Sequence, residues 1–197
     1  MADMNSRELA GLLSFMFSPP IVAAPAFLTL ILLHKPENPL ILISIAVIFA
    51  SLIPLAIVYV LARHGMIPDI WASERETRVI PFSGAICSYV IGSLALVAVR
   101  SPAVITSLML CYVGNALVVT LISFKWKISV HASGIAGPLT ALIFVVGLTA
   151  IPFLLLVVPV GWARLKLKAH TPAQVFAGVL LTIVITWIQL GIYVPIF

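Results

Sequence analysis

No carboxylate follows Glu76 in this 197-residue chain. The six present, Asp3, Glu8, Glu37, Asp69, Glu74 and Glu76, all precede residue 77, and beyond them every formal charge is positive. The second half therefore offers histidine, arginine, lysine, hydroxyls and amides, and nothing acidic. It has no carboxylate cluster to hold magnesium, no ligands at zinc-binding spacing and no glycine-rich nucleotide loop. Paired Asp-rich motifs of the prenyltransferase kind are excluded for the same reason. Charge of any sign is scarce, at 9% of residues against the roughly 25% of a soluble domain. Cysteine is scarcer still. Cys87 and Cys111 both fall inside apolar runs, which argues against a disulfide framework and carries no redox information.

What fills the chain instead is hydrocarbon. Hydrophobic residues make up 62%, with a mean hydropathy of +1.24. That much apolar surface has no place in water, so the composition defines a polytopic integral membrane protein. Apolar runs fall at 12–33, 40–62, 79–99, 103–124, 134–162 and 172–195. A span needs about 20 residues, and the run at 134–162 is too long for one. Gly147 and Pro152 predict a turn there, giving short helices near 134–148 and 150–163. The expected fold is all-α: one integral-membrane domain over residues 1–197, a bundle of six or seven transmembrane helices. The first run carries Pro19, Pro20 and Pro25, which predict a bent or re-entrant piece. Spans continue throughout, and no small-residue cleavage pattern marks the first run as a signal peptide.

With seven helices, the loops 63–78, 125–133 and 164–171 emerge on one side. They hold Arg63, Arg75, Arg78, Lys125, Lys127, Arg164, Lys166 and Lys168, against Lys35 and Arg100 opposite. The positive-inside rule makes the crowded side cytoplasmic, although phosphate-binding residues would produce the same bias. The net charge of +5 suits anionic headgroups or a phosphate substrate. Its cations are scattered between spans, which argues against nucleic acid.

Three polar clusters stand at span ends. In "DIWASERETRVIP" (69–81), Arg75 and Arg78 share a face if the segment is helical, and guanidinium forks match phosphate oxygens. The bland alternative is a solvated loop in which Glu74 and Glu76 pair these arginines. In "KWKISVHASG" (125–134), Lys127, Ser129 and His131 offer a cation, a hydroxyl and an imidazole at a helix start, where backbone N–H groups add anion affinity. Snorkelling lysines and a capping histidine would look the same. In "ARLKLKAHTPAQ" (163–174), Thr171 and Pro172 predict a helix start, and His170 and Gln174 are four apart around it. Gln174 can accept from one ring nitrogen of His170 and leave the other as nucleophile. Together the clusters supply what a metal-free phosphoryl transfer needs: one histidine attacks phosphorus, the other protonates the leaving alkoxide and later activates water, and cations hold the equatorial oxygens.

The order of these motifs resembles the type 2 phosphatidic acid phosphatase superfamily, which includes the vanadium haloperoxidases, across about residues 60–195. Its third motif is Ser-Arg, five residues, His, three residues, Asp. Arg164, His170 and Gln174 keep that spacing, with Ala163 in place of Ser and Gln174 in place of Asp. "ISVH" is similar to the Pro-Ser-Gly-His motif, keeping Ser129 and His131. The first motif, Lys, six residues, Arg-Pro, is matched only by the arginines of "RETRVIP". The resemblance implies His170 as nucleophile and His131 as general acid. It implies Arg164, Ser129 and Arg75 or Arg78 as phosphate ligands, with Lys127 standing in for the motif lysine and Gln174 orienting His170. It implies no cofactor, and a lipid phosphate as substrate: phosphatidic acid, phosphatidylglycerol phosphate, or a polyprenyl phosphate or diphosphate. A neutral amide at Gln174 orients an imidazole but does not neutralise it, so two outcomes stay open: a lipid phosphatase, or a lipid-phosphate-binding protein without turnover. A small anion transporter is disfavoured, because the ionisable residues sit at span ends rather than mid-span.

Overall fold

The computed structural model describes residues 2–68 and 76–197, with side chains from Asn5 onward; Asp69, Glu74 and Arg75 lie outside the described residues. The described chain is helical almost throughout. Helices α1 (Ala2–Met16) and α2 (Pro19–His34) form a pair bent by 51°. The bend falls at Phe17 and Ser18, with Pro19 and Pro20 opening the first turn of α2, where their missing N–H groups cost nothing. Pro25 sits inside α2 and does not break it.

Helices α3 (Pro39–Val47) and α4 (Ile53–Arg63) form one span through a π-helical segment at Ile48–Leu52. Pro54 explains that segment. It has no N–H to donate five residues back to Phe49, and the Ser88 hydroxyl supplies the missing bond to the Phe49 carbonyl at 2.7 Å. Next come α5 (Val79–Ala98), α6 (Ala103–Ser123) and α7 (Val130–Val146). Helix α7 ends at Gly147, whose φ of +89° suits glycine alone. A 3-10 segment (Leu148–Leu156) then leads into α8 (Val157–Lys166), and α9 (Pro172–Tyr193) follows. The turn expected around Gly147 and Pro152 is thus at Gly147, while Pro152 is absorbed into the 3-10 segment.

Among the described residues five helices are long and apolar enough to cross a membrane: the joined α3–α4, α5, α6, the 3-10 segment with α8, and α9. The bent α1–α2 pair makes a sixth candidate, and α7 is a shorter apolar helix. This is the all-α membrane bundle expected. Helix α7 lies at its centre, packed between α9 and α2, and is buried from His131 to Ala141 except at Gly134.

The bundle is apolar outside and partly polar inside. Leu40, Leu94, Leu121, Leu148, Leu155 and Val158 are exposed, whereas Ser93, Thr106, Ser107, Thr140, Thr182 and Thr186 are buried. Such an arrangement is stable only where hydrocarbon bathes the outside. The buried hydroxyls are used locally: Ser93, Thr120, Ser123 and Thr140 each donate to the carbonyl four residues back at 2.6–2.8 Å. Asn115 on α6 joins α9 by donating to Thr186 at 2.8 Å and accepting from Gln189 at 3.2 Å. Interhelical bonds of this kind contribute about 0.6–2 kcal/mol each in a bilayer.

Candidate functional site

The start of α5, the start of α7 and the link from α8 to α9 converge at one end of the bundle. The link explains the spacing of Arg164 and His170. Helix α8 ends in a Schellman turn: Lys168, at φ +53°, donates to the Leu165 carbonyl at 2.9 Å, and Ala169 donates to the Arg164 carbonyl at 3.0 Å. Helix α9 begins at once with a capping box, in which the Thr171 hydroxyl accepts from the Gln174 N–H at 3.4 Å and Gln174 Oε1 accepts from the Thr171 N–H at 3.1 Å. His170 is the residue caught between the two turns, and its own N–H reaches the Arg164 carbonyl at 3.3 Å. Five intervening residues are what a helix stop followed directly by a helix start requires here.

The capping box also fixes the histidine tautomer. Oε1 of Gln174 is identified as oxygen because a backbone N–H donates to it. The same oxygen lies 3.2 Å from His170 Nδ1 and has no proton to give. Nδ1 therefore carries the hydrogen, and Nε2 keeps its lone pair. His170 is buried, at 7% exposure. That burial, together with the positive charges of Arg164, Arg78 and Lys127, pushes its pKa down to about 3, against a smaller opposing effect of the Gln174 bond. At neutral pH the imidazole is uncharged and keeps the Nε2 lone pair.

His131 sits in the first turn of α7, also buried, and its imidazole bonds to the main chain of Ser14. Ser129 is fully buried and caps α7, its hydroxyl accepting from the Ala132 N–H at 3.4 Å. Its own N–H donates to the Gln174 carbonyl at 3.2 Å, which ties the starts of α7 and α9 together. Gly178 makes that approach possible, since a Cβ there would stand 2.7 Å from the Ser129 carbonyl.

Arg164 and Arg78 are buried at 3% and 2% exposure. Neither is the solvated loop cation that the bland readings of these segments expect. Arg78 donates to the Ile128 carbonyl at 3.0 Å, anchoring the loop that carries Ser129 and His131. Arg164 donates to the Ser14 hydroxyl on α1. Lys127 is half-buried, whereas Lys125 and Lys168 are exposed. Arg75 lies outside the described residues, as does Glu74, one of the two carboxylates that could pair with the loop arginines; the other, Glu76, is exposed. Among the described residues no three His, Cys, Asp or Glu side chains converge as metal ligands would.

Ser14 is a residue of this cluster that sequence reasoning missed. It lies in "LLSFMF", an apolar context with nothing to distinguish it, and only the 51° bend brings α1 back onto α8. The result is a buried, electropositive cluster in which the positive N-terminal ends of α5, α7 and α9 point the same way. The chemistry of such a cluster suits an anion, with one uncharged imidazole nitrogen beside it. No family model, no curated protein and no solved structure matches this chain.

Proposed function

We propose that this protein is a membrane-embedded lipid phosphatase that hydrolyses a phosphomonoester or diphosphate of a membrane lipid without a metal ion. One observation carries the reading: the buried, uncharged His170, its Nδ1 held by Gln174, lies within the field of Arg164, Arg78 and Lys127. In this mechanism Nε2 of His170 attacks phosphorus. The N–P bond forms as the bond to the lipid oxygen breaks, and His131, which takes up a proton from solvent or from the phosphate when the anionic headgroup binds, gives that proton to the departing oxygen. His131 then takes a proton from water, whose oxygen attacks the phosphohistidine and frees inorganic phosphate and His170. Arg164 and Arg78 hold the equatorial oxygens, each charge-assisted bond contributing about 1.5–3 kcal/mol. Lys127 completes the charge, while Ser129 holds the start of α7 against α9. The class of lipid is that of the resemblance, phosphatidic acid-like or polyprenyl. Arg63, Lys125, Lys166 and Lys168 support a site on the cytoplasmic side of the cell membrane.

Gln174 itself favours a second reading. As a neutral amide shared between His170 and Thr171, it supplies no negative charge to the imidazolium that phosphoryl transfer creates. A protein that binds the lipid phosphate without turnover would keep every other feature. Phosphate release from a panel of lipid phosphates, in detergent with EDTA, separates the two. The phosphatase reading expects release from at least one lipid, and several-fold faster release in Gln174→Glu. Tight binding with no release from folded protein, in wild type and in Gln174→Glu alike, would make this a binding protein.

A further inference from the structure

Beside the cationic cluster an apolar cavity of about 160 Å³ opens into the bundle. His131 and Ser18 line it at the cationic end, and Tyr89 and Tyr112 line it deep inside. At 1.5 Å per residue, the two tyrosines lie about 15 Å below the starts and ends of their helices at that face, half of a hydrocarbon core that is roughly 30 Å thick. The cavity is thus one leaflet deep. Its rings stack at the floor, Tyr89 edge-on to Tyr112 at 5.3 Å and Phe27 against Tyr112 at 5.8 Å.

The backbone opens it. Helix α2 packs on the π-helical segment, whereas α4 beyond Pro54 packs on α5, so the two helices part above the π turn. Phe15 and Leu55 line the cavity and are exposed on the outside of the bundle, which makes the mouth lateral, toward the bilayer. Two buried hydroxyls in the lining point to an occupant. Ser18 is the N-cap of α2 but its side chain makes no capping bond: Pro20 has no N–H, and the Ile21 N–H donates to the Ser18 carbonyl at 3.0 Å. Its hydroxyl is 94% buried by residue and finds no partner among the described residues. The Tyr112 hydroxyl at the floor is likewise buried without one. Buried polar atoms without partners are rare and costly.

We infer that this cavity holds one hydrocarbon chain of the phosphate-bearing lipid, reaching from His131 to the Tyr89–Tyr112 pair. The Ser18 hydroxyl donates to the polar atom that joins chain and phosphate. A second chain, where the lipid has one, stays outside in the bilayer through the lateral mouth. The inference rests on the lipid-phosphate reading of the site and adds to it where the chain goes and how deep.

The test is photolabelling in liposomes with phosphatidic acid carrying a diazirine midway along one acyl chain. Adducts are expected on α5 and α6 around Tyr89 and Tyr112. Labelling should fall at least tenfold in Ala116→Trp, and again in Ala85→Trp from another helix of the lining, each recovered as monodisperse protein. Ser18→Ala should weaken it about fivefold, the loss of one hydrogen bond. Competition by unlabelled polyprenyl phosphate against unlabelled phosphatidic acid tells which chain type fits better. Adducts confined to outward residues such as Leu94 and Leu121, or equal cavity labelling by the same probe lacking its phosphate, would overturn the inference. The two readings fail separately. Cavity adducts without phosphate release would sink only the phosphatase, and release with adducts only on the outside would sink only the cavity site.

Discussion

Both ends of the bundle place a histidine and cations at helix termini, yet the two ends bury them very differently. At the far end His34 and Lys35 close α2 and Arg100 follows α5, and all three are exposed. His34 satisfies its Nδ1 on the Leu30 carbonyl of its own helix at 2.9 Å, and Lys35 and Arg100 take left-handed turns at φ +44° and +53°. These are ordinary helix ends reaching water. At the near end His170, His131, Arg164 and Arg78 are all under 9% exposed, because α1 folds back over α8 and the starts of α7 and α9 are tied through Ser129 and Gln174. The residue types are the same at both ends. What differs is that several segments at the near end enclose the charges, and Arg164, Arg78 and Lys127 act on the buried His170.

Paired substitutions at the two ends sharpen that contrast. The largest effect expected is His170→Ala, which should lower phosphate release by about 10²–10⁴-fold, while His34→Ala leaves it within twofold. Arg164→Gln should cost at least about tenfold in kcat/KM, and Arg100→Gln almost nothing. Release measured side by side on one lipid phosphate checks both pairs.

Acid should act on one end. His170 is held near pKa 3 when folded and returns to about 6.5 when unfolded. Between those values the unfolded chain binds the extra proton, so folding stability falls as pH drops from about 6.5 toward 3, by up to ~1.4 kcal/mol per pH unit. Thermal midpoints between pH 7 and 4.5 should show this loss, and His170→Ala should flatten it. A bound phosphate analogue offsets Arg164, Arg78 and Lys127, and so should raise the His170 pKa. The smallest change expected is in Ser14→Ala. It removes the acceptor that holds Arg164 and should raise KM about threefold to tenfold, with kcat less affected.

Much of this was legible in the sequence. Composition alone defined the membrane bundle, and the spacing around Thr171 and Pro172 announced both a helix start and the His170–Gln174 pair. Those features are local, so a linear reading reaches them. The burial of Arg78 was not legible. Its segment reads as a solvated loop, and a bond to the carbonyl of Ile128, 50 residues away, holds it inward. Ser14 and Ser18 were missed for a related reason: the 51° bend that brings them to the site is a tertiary fact, and nothing in "LLSFMFSPP" marks either serine as polar lining. The π segment was equally hidden, since Pro54 forbids a bond without saying which neighbour, here Ser88, will replace it.

The central claim is that His170 carries the phosphoryl group. It is tested most directly by incubating the purified protein with a phosphorus-radiolabelled lipid phosphate in EDTA, quenching in alkali, and locating the label by peptide mapping. The account predicts alkali-stable, acid-labile label on His170, absent from His170→Ala and present in His34→Ala. Phosphate released at full rate by His170→Ala, or label recovered on any other residue, would contradict it.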